Sequence, residues 1–66
     1  MEQMKLDLET IREMMKKSRK EMAELIGVNL DRYNRLATGD TKMLAVELMA
    51  LHSVSNVPYE NIKVLS

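Results

Sequence analysis

The nineteen residues 21–39, EMAELIGVNLDRYNRLATG, decide how the rest of the chain is read. An apolar helical pattern at Met22, Leu25 and Ile26 breaks at Gly27 and restarts at once behind Asn29, with Tyr33 and Leu36 as its new inward face. Gly27 stands where a residue of positive φ ends a helix, and Asn29 is a good cap for the next start. Ala23 is small, four positions before the glycine, as a second helix crossing close above it requires. Val28 is placed to plug the turn into a core. What remains outward on the second helix is Asn29, Asp31, Arg32, Asn34 and Arg35, with Leu30 at the margin. Two short helices joined by a tight glycine turn, the second presenting a polar face, are the arrangement that lets a helix enter the DNA major groove.

Outward from this stretch, the pattern stays helical. Asp7 is the expected N-cap, with Leu6 and Ile11 as a hydrophobic staple, for a first helix over about 8–16 whose inward residues are Leu8, Ile11, Met14 and Met15. That helix has a possible earlier start through Met4. Ser18 followed by Glu21 forms a capping box that opens the second helix. Gly39 stops the third. Asp40 or Thr41 is the expected cap of a fourth and longest helix, with Leu44, Leu48, Leu51 and Val54 inward and Asn56 at its end. Pro58 forbids continuation, and residues 58–63 fit one closing turn that buries Tyr59 or Ile62. No stretch alternates as a strand does. The fold class expected is all-α: a compact bundle of four to five short helices forming one domain over 1–66, with the helix-turn-helix at about 18–38.

A chain of 66 residues is near the lower limit for an unaided core. Cysteine is absent, which excludes a disulfide framework and a zinc-thiolate site. Seven methionines stand where leucine is usual and are expected as adaptable core filler. No apolar run approaches the roughly 18 residues of a membrane span, and no secretory signal is legible, so the expected location is cytoplasmic with no membrane partner. Neither a nucleophile beside a base nor a metal-ligand cluster is legible: His52 stands without a second ligand. The chain is therefore not expected to be an enzyme or to need a cofactor or metal.

The net charge is zero, but its distribution is uneven. Residues 12–35 carry seven cations against Glu13, Glu21, Glu24 and Asp31, an excess of three, whereas residues 1–11 sum to minus two and 36–66 to minus one. The basic excess therefore coincides with the helix pair. Its bland alternative is a set of solvated helix faces.

The run SRKEMAELIGVNLDRYNRLATG, residues 18–39, resembles the lambda-repressor and Cro type of helix-turn-helix domain found in phage and bacterial regulators. The capping serine, the small residue, the LIGV turn, the anchored second helix and the closing glycine occur in the family's order. The ending NVPYENI, residues 56–62, is similar to that family's usual close, and the likeness covers most of the chain. It implies a transcriptional regulator that docks its third helix in the major groove of a double-stranded DNA operator; because a lone module this small binds weakly, a homodimer is expected. Base contacts would fall on Asn29, Asp31, Arg32, Asn34 and Arg35, and phosphate contacts on Lys17, Arg19, Lys20 and Lys42, with Lys16 also in reach. Arginine bridges guanine and asparagine bridges adenine, each good bidentate pair discriminating by roughly 1–3 kcal/mol. Candidates for the dimer surface are Met49, Val57, Tyr59 and residues 64–65.

The chain departs from the family pattern at Lys17, Arg19 and Tyr33, where an apolar residue, glutamine and a branched aliphatic are usual. Asp31 also sets a negative charge on the face meant for DNA. These departures, with zero net charge, define the alternative: a protein-binding antirepressor or modulator on the same fold that pairs with another repressor.

Overall fold

The structure, a computed structural model, describes residues 5–64. Four helices follow in order, α1 (Leu8–Met15), α2 (Arg19–Ile26), α3 (Leu30–Thr38) and α4 (Ala45–Ser55), then a 3-10 turn at Tyr59–Asn61. The expected all-α bundle is what the chain forms. The suggested earlier start of α1 through Met4 lies outside the described residues.

Local chemistry sets each boundary. The Asp7 carboxylate accepts from the Thr10 N–H at 2.8 Å, and this bond holds its pKa below the usual aspartate value. Lys16 closes α1 in the left-handed region at φ 58°. The Ser18–Glu21 capping box is reciprocal, at 3.0 Å and 2.8 Å. Gly27 takes φ 79°, and a Cβ there would meet nothing within 4 Å, so backbone conformation rather than crowding calls for glycine. Asn56 ends α4 at φ 61°.

One core joins the elements: Leu8 and Ile11 of α1, Met22, Ala23 and Ile26 of α2, Tyr33 and Leu36 of α3, Leu51 of α4, and Ile62 after the 3-10 turn. α2 packs on both α3 and α4, and α1 packs on α3. A short parallel bridge pairs Leu6 with Ile62. Leu6 N–H donates to the Asn61 carbonyl at 2.7 Å, and Lys63 N–H to the Leu6 carbonyl at 2.8 Å. This tie between the two ends of the described chain has no signature in the periodicity, because it is a backbone pairing between single residues far apart in sequence.

Several sequence expectations need correction. Met14 and Leu25, expected inward, are 61% and 42% exposed. Of the methionines described, only Met22 is buried; Met15 and Met43 pack at the core's edge, and Met14 and Met49 face outward. The fourth helix is the longest, at 11 residues, but neither Asp40 nor Thr41 caps it. Their N–H groups donate to the Arg35 carbonyl at 2.9 Å and 3.4 Å, closing α3 instead. The cap position is Leu44, which is exposed, and the Glu47 carboxylate accepts its N–H at 2.7 Å. Glu47, not Leu44, turns inward. Ile62 is the closing turn's buried residue, while Tyr59 stacks on the partly buried His52 with ring centres 4.1 Å apart.

Candidate nucleic-acid interface

The α2–turn–α3 unit fixes which side chains α3 presents. Val28 N–H donates to the Ala23 carbonyl at 2.9 Å, folding the turn back on α2, and the Asn29 side chain accepts from Arg32 N–H at 2.8 Å to start α3. Tyr33 and Leu36 anchor α3 below, fully or almost fully buried. Asp31, Asn34 and Arg35 are exposed on the opposite side.

Two acids hold α3 from either flank. On the α1 side, the Tyr33 hydroxyl donates to Glu9 at 2.9 Å, and the same carboxylate receives Arg12 at 2.9 Å and Arg19 at 3.4 Å. Burial pushes the Glu9 pKa up, but bonds from Arg12, Tyr33 and Arg19 outweigh it and hold the carboxyl below its usual value. Burial first, then the neighbouring carboxylate, drives the Tyr33 phenol well above its ordinary range. The Tyr33 ring is thus buried in the core while its tip has an ionic partner on α1.

On the α4 side, Arg32 forms a fork with Glu47, Nε at 2.5 Å and Nη2 at 2.9 Å from the two carboxylate oxygens. Glu47 is buried, and the arginine holds its carboxyl below the usual range against the opposing pull of burial. Of the expected base contacts, Arg32 thus has two of its donor nitrogens engaged by Glu47 in the first turn of α4. Asn29 is exposed, but its acceptor oxygen is engaged in the cap.

The open outer surface is made by Asp31, Asn34 and Arg35 with Thr38, Gly39 and Asp40, which line a shallow depression. Arg35 Nε lies 3.6 Å from the Asp31 carboxylate, but the two side chains are 61% and 79% exposed. A pair so solvated is weak and leaves both groups available to a ligand. Lys17, Lys20 and Lys42 are exposed. Arg19 and Lys20 open α2, where free N–H groups and the helix dipole favour an anion.

Sequence reasoning missed Glu9 and Glu47. Glu47 carried a signal, standing among Leu44, Leu48 and Leu51 where an acid needs a partner, and Arg32 is that partner fifteen residues earlier. Among the described residues no group of histidine, cysteine, aspartate and glutamate is arranged to hold a metal ion, and no helix is long and apolar enough to cross a membrane. Compared with known proteins, the chain matches no family model, no curated protein and no solved structure, so its functional reading rests on its own residues.

Proposed function

We propose that the chain is a DNA-binding transcriptional regulator of the lambda-repressor and Cro type that lays α3 in the major groove of an operator. One observation carries the reading: behind a glycine turn, α3 is clamped on both flanks by Glu9 and Glu47 while Asp31, Asn34 and Arg35 are left exposed on its outer side. An exposed polar face on a clamped helix, its one ion pair weak and solvated, is suited to base edges, since groove reading needs side chains whose frame does not move. Arg19 and Lys20 at the start of α2, together with the exposed Lys17 and Lys42, supply phosphate contacts.

Dimer formation on a twofold operator, with half-sites about 34 Å apart, is part of the same proposal. α4 supports it. Leu44, Val46 and Met49 are 56%, 67% and 59% exposed, and the outer side of this helix carries no acid or base apart from the buried Glu47 and partly buried His52. Of the earlier dimer candidates, Met49 and Tyr59 are exposed and Val57 is partly buried; Leu65 lies outside the described residues.

A second reading is favoured by one observation. Asp31, 79% exposed in the first turn of α3, repels phosphate, and a chain of zero net charge draws little on counterion release. A module that pairs with another repressor fits both facts. Titrating random-sequence and selected duplexes against salt separates the two. A regulator with four phosphate contacts loses affinity with a log–log slope of about −3.6, and Asn34→Ala with Arg35→Ala weakens the selection of sequence. A protein-directed module shows no selected duplex and binds a repressor instead.

A further inference from the structure

Of the five polar residues expected to read bases, the first turn of α3 retains few. Arg32 is tied by two nitrogens to Glu47, and the Asn29 oxygen caps the helix. Beside them, that turn exposes Asp31 at 79% and, next to it, Leu30 at 45%. Helical spacing puts Leu30 one turn before Asn34, on the flank of the open face away from Arg32 and Arg35. Within α3 it is an exposed large apolar side chain among polar neighbours. The N-terminal turn of a helix docked in the major groove is the part that reaches base edges. There a leucine has no hydrogen bond to give, and the one apolar group on the groove floor is the 5-methyl of thymine.

Resting on the DNA-binding reading above, we propose that Leu30 is a specificity-determining residue that packs on a thymine 5-methyl group. Asp31, next to it, accepts from the N4 amino group of a neighbouring cytosine. The operator half-site then carries adjacent thymine and cytosine beneath the first turn of α3, with Asn34 and Arg35 reading the bases beyond. This inverts the usual weighting of a recognition helix, because an apolar contact replaces the amide or guanidinium contact in the leading turn.

The test starts by enriching duplexes from a random pool on the immobilised full chain, then replacing each thymine of an enriched site by deoxyuridine, which lacks only the methyl group. The expected result is one thymine per half-site at which the replacement weakens binding about fourfold, the worth of one buried methyl-sized group. Leu30→Ala should bind the thymine duplex and the uracil duplex equally. Leu30→Met, still apolar, should keep the discrimination. Circular dichroism of both variants, matching the parent, establishes that the side chain and not the fold has changed. If duplexes enrich but no thymine shows the effect, or if Leu30→Ala retains it, the leucine contact is wrong and DNA binding stands. If nothing enriches, DNA binding fails, and this contact fails with it.

Discussion

Glu9 and Glu47 both hold α3 by accepting from its side chains, yet they are built differently. Glu9 is shared by Arg12, Arg19 and the Tyr33 hydroxyl, with about a quarter of its side chain exposed at 24%. Glu47 has one arginine, bound through a fork, and one backbone N–H, with its side chain 6% exposed. A shared and partly wet carboxylate loses one donor and keeps two. A buried carboxylate with a single cation has no such reserve, because an uncompensated buried charge is costly. The α1 flank of α3 is redundant and the α4 flank is not.

Glu47→Ala should therefore have the largest effect. It removes the fork, the N–H acceptor at the start of α4 and the buried packing of the side chain together. We expect a loss of about 2–3 kcal/mol in denaturant unfolding, much of the roughly 3–10 kcal/mol available to a chain this size. Arg32→Lys keeps the charge without the planar fork and should fall between the parent and this variant. If Glu47→Ala is no worse than a loss of Tyr33's hydroxyl, the asymmetry between the flanks is wrong.

Acid sharpens the same contrast. The folded-state pKa of Glu47 lies below the ordinary value of 4.5, so its stabilisation is present above 4.5 and is lost as the pH falls through the depressed folded value. The stability gap between parent and Glu47→Gln should be constant from neutral pH to about 5 and narrow below 4.5. Glu9 is also depressed and also weakens the parent in acid, but Glu47→Gln retains Glu9. Subtracting the two unfolding curves isolates the α4 clamp.

A smaller loss, about 1 kcal/mol, is expected for Tyr33→Phe. The ring stays in the core and Glu9 keeps both arginines, so only one hydrogen bond is removed. In alkali the order reverses: the Tyr33 pKa is raised above its ordinary 10.0, so the parent's stabilisation is full below that value and declines as the pH rises beyond it. Tyr33→Phe has no phenol to ionise and should lose less stability above pH 10.

The sequence carried the frame of this molecule well because frame residues act locally. Ser18 and Glu21 cap each other three residues apart, Asn29 caps Arg32, and Gly27 and Gly39 take positive φ at the ends of their own helices. What could not be read are the partners chosen across the bundle. Tyr33 and Glu9 are 24 residues apart and Arg32 and Glu47 are 15 apart, and nothing in either neighbourhood names the other. The same limit misplaced the start of α4, where Glu47 serves as cap and buried acid at once and Asp40 and Thr41 are drawn to α3. For the face itself, helical spacing located Asn34 and Arg35 on the exposed side, but could not tell that Arg32 pairs with Glu47 on α4.

Arg19→Ala is the mildest change to the α1 flank and the most informative about division of labour. Its guanidinium is 59% exposed and lies 3.4 Å from Glu9, which keeps shorter bonds from Arg12 and Tyr33 at 2.9 Å. Exposed pairs of this kind contribute little, so the thermal midpoint should move by no more than about 1–2 °C. If Arg19 serves phosphate, duplex affinity should fall at every sequence alike, and the log–log salt slope should flatten by about 0.9. A midpoint drop as large as that of Tyr33→Phe, with the salt slope unchanged, would instead make Arg19 a structural member of the Glu9 cluster. The start of α2 would then have only Lys20 to offer a phosphate besides its backbone.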